Sequence, residues 1–242
     1  MVKILDILKG MNAQTLYYPG CMLKNVMTAE QENYKRIFNL LGIDFVMLPS
    51  TEVCCGSPVM NAGYKKDTKD LAKKNYTLFK KQNIDKIITP CAGCYNMFKN
   101  EYPKLLREWD IEVEHVTQTV LNALKNRKLK QFSGREIVTY HDPCHLGRYS
   151  GIYDEPREII KLLGGELKEM RHNKENALCC GAGGGMRANY PDTAKKIAKK
   201  RMDEKPTDAQ FTLTPCGLCT ANLKTADDSV VEFSTWVLRR LT

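Results

Sequence analysis

Lys86-Ile87-Ile88-Thr89-Pro90-Cys91-Ala92-Gly93-Cys94 reads as a strand that stops at a proline and delivers two thiols, and Phe211-Thr212-Leu213-Thr214-Pro215-Cys216-Gly217-Leu218-Cys219 repeats it. A short apolar, β-branched run bounded by proline is a strand signal, and the proline forces extended backbone before it while offering no ladder donor. Outward from this element, β-rich runs alternate with helical stripes. Thr15–Tyr18 precedes the stripe Tyr34, Ile37, Phe38, Leu41, which precedes Phe45–Leu48. A Lys-rich amphipathic helix around Leu71–Phe79 leads into the quoted strand; a short helix follows Cys94, then Val113–Val116 and a helix near Val120–Leu124. The second copy runs Ile137–Tyr140, Ile159–Leu163, Leu167–Met170, Ala194–Met202, Phe211–Thr214, Val230–Phe233 and Trp236–Leu241. Such alternation predicts an α/β protein of two pseudo-symmetric domains, each with a mostly parallel sheet flanked by helices and joined by right-handed crossovers. The domains are expected over 1–131 and 132–242, with the linker near Gln131–Gly134. Met1–Met11 stands outside both copies and has the apolar spacing of a short packing helix.

The ten cysteines form two sets of five. Cys21, Cys54, Cys55, Cys91 and Cys94 are spaced C-x32-CC-x35-C-x2-C; Cys144, Cys179, Cys180, Cys216 and Cys219 are spaced C-x34-CC-x35-C-x2-C. Cys21, Cys91, Cys144 and Cys216 each follow a predicted strand, so each set is expected at the carboxyl edge of its sheet, the ligand edge of open α/β folds. Disulfides fit poorly, because five thiols per unit is odd and no cleavable leader precedes them, which suits a reducing compartment. Structural zinc takes four thiolates and leaves one over. A cubane iron–sulfur cluster also takes four, and a fifth thiol points to an unusual cluster or an exchangeable position. Iron–sulfur is the favoured reading, with zinc open for one set. Gly56, Gly93, Gly181 and Gly217 allow backbone to approach an inorganic core and aim N–H groups at its sulfurs, although tight turns would use glycine too. Gly183, in the run Gly181–Gly185, fits close approach at a helix start; neither a dinucleotide fingerprint nor a P-loop matches that run.

Composition removes other classes. At 242 residues, 43% hydrophobic and 27% charged, the chain is ordinary for a globular protein, and no apolar run reaches a membrane span. The expected location is cytoplasmic. The net charge of +9 is dispersed along helical lysines, which reads first as a solvated face and second as attraction for an anionic substrate or acidic redox partner. No finger spacing or aromatic–basic motif supports nucleic-acid binding. No GxSxG, HExxH or paired-carboxylate motif supports hydrolysis.

From Tyr17 to Leu241 the chain resembles the cysteine-rich CCG domain family of heterodisulfide reductases and related iron–sulfur oxidoreductases. The residues that carry the resemblance are the double cysteine before Gly56 and Gly181, with His141-Asp142-Pro143-Cys144-His145-Leu146-Gly147-Arg148 and Cys179-Cys180-Gly181-Ala182-Gly183-Gly184-Gly185, which are most similar to D-type catalytic subunits. The resemblance implies a noncubane [4Fe-4S] cluster on one or both cysteine sets, zinc being known at one set in some relatives, and two sites facing each other across a substrate disulfide. D-type subunits also carry ferredoxin-like cysteine runs, which this sequence lacks. Its arrangement is therefore nearer the B-type, and electrons are expected from a ferredoxin-like iron–sulfur subunit together with a flavoprotein or a membrane cytochrome subunit.

The leading expectation is thus an oxidoreductase acting on an anionic heterodisulfide such as CoM-S-S-CoB, active within a complex. Two electrons are needed, and each centre can accept one substrate sulfur and supply one of them. His141 and His145 flank Cys144 and are candidate proton donors to product thiolates, or else hydrogen-bond partners of backbone or sulfur; zinc ligation by His145 is a third reading. Arg148 and Arg187 could hold an anionic substrate or balance cluster charge. His115 and His172 read as structural or surface residues. The alternatives are an electron-transfer subunit of a lactate, glycolate, glycerol-3-phosphate or acyl-CoA oxidising complex, and a zinc-binding interaction module.

Overall fold

The computed structural model describes residues 14–48, 53–127 and 136–242. The expected helix over Met1–Met11 and the linker near Gln131–Gly134, with the boundary beside it, lie outside these residues. The first half runs β1 (Gln14–Tyr17), α1 (Gly20–Asn25), α2 (Thr28–Leu40), α3 (Ser57–Asn61), α4 (Lys65–Lys81), β2 (Ile84–Thr89), α5 (Ala92–Asn96), a π-helical turn at Met97–Glu101, α6 (Tyr102–Leu105), β3 (Glu112–His115) and α7 (Val116–Lys125). The second runs β4 (Glu136–Tyr140), α8 (Asp154–Leu162), β5 (Gly165–Leu167), α9 (Met186–Asn189), α10 (Pro191–Met202), β6 (Phe211–Thr214), α11 (Gly217–Leu223), β7 (Val230–Glu232) and α12 (Phe233–Leu241). All strand neighbours are parallel, in the orders β1-β2-β3 and β5-β4-β6-β7. The expected Phe45–Leu48 strand is reduced to one bridge, Leu16 to Val46, held by Tyr17 N–H to Val46 O (2.9 Å) and Val46 N–H to Thr15 O (2.9 Å). It occupies the edge position that β5 fills in the second half, where pairing on one side only supports a short ladder. The helix expected after Cys94 starts earlier, at Ala92, so Cys94 lies inside its first turn.

Helix faces follow the apolar spacing. Along α4 the buried residues are Thr68, Ala72, Asn75 and Phe79, one stripe at helical period, with the lysines turned outward and Lys80 and Lys81 at the carboxyl end of the helix dipole. Along α10 the buried stripe is Ala194, Ala198, Arg201 and Met202. An arginine thus sits where the period demands an apolar residue.

Neighbouring strand residues point to opposite faces and enter different cores: Leu16 and Ile87 join one cluster, Tyr17 and Ile88 the other. Each cluster draws on both halves. One combines Tyr34, Phe38 and Leu124 with Tyr140, Ile160 and Trp236. Here α2 packs on α12 and α7 on α8. Since α2 and α8 follow the first strand of their halves, and α7 and α12 the last, these are one contact made twice about a pseudo-twofold axis. Tyr34 Oη donates to Glu232 Oε1 (2.7 Å) at the first, and Lys125 pairs with Glu158 (2.6 Å) at the second. Burial of several aromatic side chains, each worth on the order of 2–3 kcal/mol, fixes how the halves face.

Candidate metal centres

In both halves the first strand lies between the second and the third, so the chain leaves the first and third strands in opposite directions and opens a crevice at their carboxyl ends. Cys21 follows β1 and Cys91 follows β2; Cys144 follows β4 and Cys216 follows β6. Each double cysteine reaches the same edge on the segment ahead of the Lys-rich helix.

Backbone geometry brings the first set together. Gly20 has φ +75°, and a Cβ there would lie 3.1 Å from Cys94 Sγ and 3.2 Å from Cys91 Cβ, so only glycine lets Cys21 approach the pair. Gly56, at φ +87°, donates its N–H to Cys54 Sγ at 3.3 Å. Asn75 Nδ2 donates to Cys54 O (3.0 Å) and Tyr102 Oη to Cys55 O (3.1 Å), pinning the double cysteine from behind. Thiols of Cys54 and Cys94 hydrogen-bond to Cys55, which holds Cys55 well below the usual thiol range and lifts its two donors. Cys91 is lowered by its hydrogen bond from Cys94, and burial raises Cys21.

The second set repeats this pattern. Gly181, at φ +85°, donates to Cys179 Sγ at 3.3 Å, and a Cβ on it would stand 2.8 Å from Ala194 O. Asn222 Nδ2 donates to Cys180 O (2.7 Å). Cys180 is the low-lying sulfur, held down by hydrogen bonds from Cys179 and Cys219 and, in addition, from His141. Cys179 and Cys219 rise in consequence, and burial raises Cys144.

All ten cysteines line one cavity of about 910 Å³ between the halves. Lys24, Arg187 and His145 also line it, and among the described residues no carboxylate does. His145 is held below the usual imidazole range by burial, opposed by the sulfurs of Cys180 and Cys55, so it sits between the two sets. Its Nδ1 is 3.4 Å from Cys144 Sγ. His141 and Arg148 do not open onto the cavity. His141 is 1% exposed behind Cys180 and Cys219, and Arg148 Nη1 donates to the carbonyls of Ala177 (2.8 Å) and Glu175 (3.3 Å), bracing the segment before Cys179. Gly93 and Gly183 line the cavity; a Cβ at Gly183 would meet nothing within 4 Å. Gly217 is set by packing between the halves, since its Cβ would come within 3.1 Å of Leu23 and 3.2 Å of Met22. His115 is structural: it caps α7, accepting from Thr117 N–H at 3.4 Å. His172 pairs with Glu204 and is partly exposed.

The sequence reading missed Lys24 and Arg201. Lys24 is three residues beyond Cys21, a signal that exists only once α1 is known to begin at Gly20. Arg201 was legible as the charged residue on the buried stripe of α10.

Among the described residues, only His141, Cys180 and Cys219 bring their ligand atoms within 4.8 Å of one another. Four thiolates on one zinc ion, at about 2.3 Å each, would stand closer together than either full set of five does. The wider all-sulfur sets, with backbone N–H groups aimed at Cys54 and Cys179, fit a polynuclear iron–sulfur core. No described helix is long and apolar enough to cross a membrane.

Known proteins share this arrangement. The D-type subunit of the dihydromethanophenazine:CoB--CoM heterodisulfide reductase of Methanosarcina acetivorans is 38% identical over 236 residues, covering 95% of this chain and 56% of that protein. The EtfAB:quinone oxidoreductase of Syntrophomonas wolfei is 32% identical over 226 residues, covering 87% and 31%. The B-type subunit of the fumarate reductase (CoM/CoB) of Methanothermobacter marburgensis is 31% identical over 210 residues, covering 86% and 41%. The chain therefore spans little more than half, or less, of these relatives' own lengths. The cysteine-rich CCG domain matches twice, over 15–99 and 138–224, which frame the two thiol sets, and the chain belongs to that cysteine-rich CCG family.

Proposed function

We propose that this chain is an iron–sulfur oxidoreductase subunit that reduces a disulfide carrying anionic groups, in a complex of the heterodisulfide reductase type. The observation that carries this reading is the single cavity lined by both five-thiol sets with Lys24 and Arg187 and, among the described residues, without a carboxylate. Cys21, Cys54, Cys55, Cys91 and Cys94 would hold one cluster, and Cys144, Cys179, Cys180, Cys216 and Cys219 the other, each a [4Fe-4S] core of the noncubane kind that five thiols allow. When bound, the clusters supply one electron from each half, which matches the two electrons that cleavage of an S–S bond consumes.

The chain's own residues do the rest. Lys24 and Arg187 draw in and orient sulfonate, carboxylate or phosphate groups through charge-assisted hydrogen bonds. The closed contact between α2 and α12 keeps the two sets opposed, so that both sulfurs of one disulfide are reached together. His145, half-buried between the sets, can pass a proton to a departing thiolate; two protons and two electrons convert the disulfide to two thiols. Electrons reach the chain from a ferredoxin-like iron–sulfur subunit, fed by a flavoprotein or a membrane cytochrome subunit.

The test is iron, sulfide and zinc analysis of anaerobically prepared protein, with EPR before and after addition of CoM-S-S-CoB. About eight iron and eight sulfide per chain, with a new paramagnetic signal on adding the disulfide, supports the reading. Full iron with a spectrum indifferent to disulfides would favour the electron-transfer alternative suggested by the likeness to EtfAB:quinone oxidoreductase. Zinc without iron would leave an interaction module.

A further inference from the structure

The two thiol sets differ in what stands behind them. In the second, His141 extends β4, donating its backbone N–H to Leu213 O (2.9 Å), and its ring turns towards Cys180 and Cys219. Arg201 Nε donates to His141 Nδ1 at 3.1 Å. Arg201 is 0% exposed, and its Nη1 donates to Glu204 Oε2 (2.8 Å) and His172 O (2.6 Å), which fixes the guanidinium in place. Glu204 Oε1 in turn meets His172 Nδ1, at the partly exposed end of this chain of contacts.

An arginine Nε–H can only donate, so the His141 nitrogen facing it carries no proton. A neutral imidazole with a bare Nδ1 has its proton on Nε2, and with Nδ1 taken, Nε2 is the nitrogen left for the sulfurs. A histidine that ligates a metal through one nitrogen normally donates from the other; here the other nitrogen is an acceptor, which is the reverse arrangement. His141 is therefore built as a hydrogen-bond donor to sulfur.

The first set is backed differently. The residue matching His141 is Tyr18, whose hydroxyl donates to Val53 O (2.6 Å) and whose ring packs edge-on against Phe98 at 4.9 Å. Counting from the paired Cys55 and Cys180, the residue matching Arg201 is Tyr76, whose hydroxyl donates to Glu108 O (2.6 Å).

We infer that Arg201 is a positioning residue that locks His141 as an Nε2–H donor to the Cys180 and Cys219 sulfurs, and that this makes the second centre the more easily reduced of the two. Hydrogen bonds to ligand sulfur and a buried cation behind them both favour the more negative, reduced state. The pseudo-symmetric pair is thus electronically graded, with the second set the first to take an electron from a partner.

Two measurements test this. In the metal-free chain, long-range proton–nitrogen NMR of the imidazoles reads the His141 tautomer without any cluster. The expected result is Nε2–H in the wild type and a tautomer mixture in the double variant R201M/E204Q, which removes the arginine without stranding Glu204. An Nδ1–H tautomer in the wild type overturns the inference. In the loaded chain, an assignment that rests on the iron–sulfur reading, redox titration followed by EPR should give two unequal potentials. R201M/E204Q should lower only the higher one, by about tenfold in the one-electron equilibrium, or 59 mV, with iron content unchanged. Equal movement of both potentials, or of neither, refutes the grading. A chain that loads no iron would fail the proposed function while leaving the tautomer result to decide the role of Arg201.

Discussion

Glu232 joins the two halves and should make their assembly sensitive to pH. Its carboxylate is 1% exposed, accepts from Tyr34 Oη across the interface (2.7 Å), and caps α12 by accepting from Ser234 N–H (2.7 Å). Burial raises its pKa from 4.5 to about 7, against the opposing pull of those hydrogen bonds. A carboxyl group whose folded pKa lies above its unfolded one stabilises the fold while protonated; that contribution is complete below about pH 4.5 and is lost as pH rises through about 7. A gap of about 2.5 units corresponds to roughly 3 kcal/mol. The substitution E232Q keeps a neutral amide at this place: its oxygen can accept from Ser234 N–H and its N–H can donate to Tyr34 Oη. Urea unfolding of the reduced, metal-free chain between pH 4.5 and 8.5 should then show wild-type stability falling relative to E232Q by about that amount. Parallel pH profiles for the two proteins would refute the assignment of this slope to Glu232.

His115 acts with the opposite sign. Burial lowers its pKa to about 3 from 6.5, so its contribution is present above about 6.5 and is lost as pH falls through about 3; H115N, which keeps an N-cap, should flatten the acid limb of the unfolding profile. Replacing Gly181 by alanine forces a Cβ to within 2.8 Å of Ala194 O at φ +85°. G181A should destabilise by about 2 kcal/mol or more and disturb Cys180, seen as lower iron content after anaerobic reconstitution; unaltered iron and stability would argue against the close packing. The double variant K24M/R187M should raise the KM for an anionic disulfide by about tenfold or more, equal to ~1.4 kcal/mol, and weaken its salt dependence, while a neutral disulfide is unaffected. Equal effects on both substrates would count against a cationic cavity.

Much of this protein is legible along the chain. The strands ending at Thr89 and Thr214, the glycines after the double cysteines and the placement of thiols at the carboxyl edge follow from local rules: β-branched runs, proline stops and helical period. Phe45–Leu48 fell short because a strand's extent depends on its neighbours, and an edge position gives it one partner. Gly217 looked like a cofactor glycine because its neighbours in sequence are cysteines, whereas its neighbours in space are Met22 and Leu23 of the other half. His141 and His145 are equally close to Cys144 in sequence terms, and only one of them lines the cavity.

The sequence by itself determined that there are two units, that each offers five thiols, and where on its sheet each thiol sits, since these depend on spacing and on the backbone preferences of a few residues. Tertiary structure alone decided that the two sets share one cavity, that Lys24 and Arg187 line it, and that Arg201 stands behind His141. Those facts depend on how α2 meets α12 and how α10 lies against its sheet, contacts between residues far apart in the chain that no local period records.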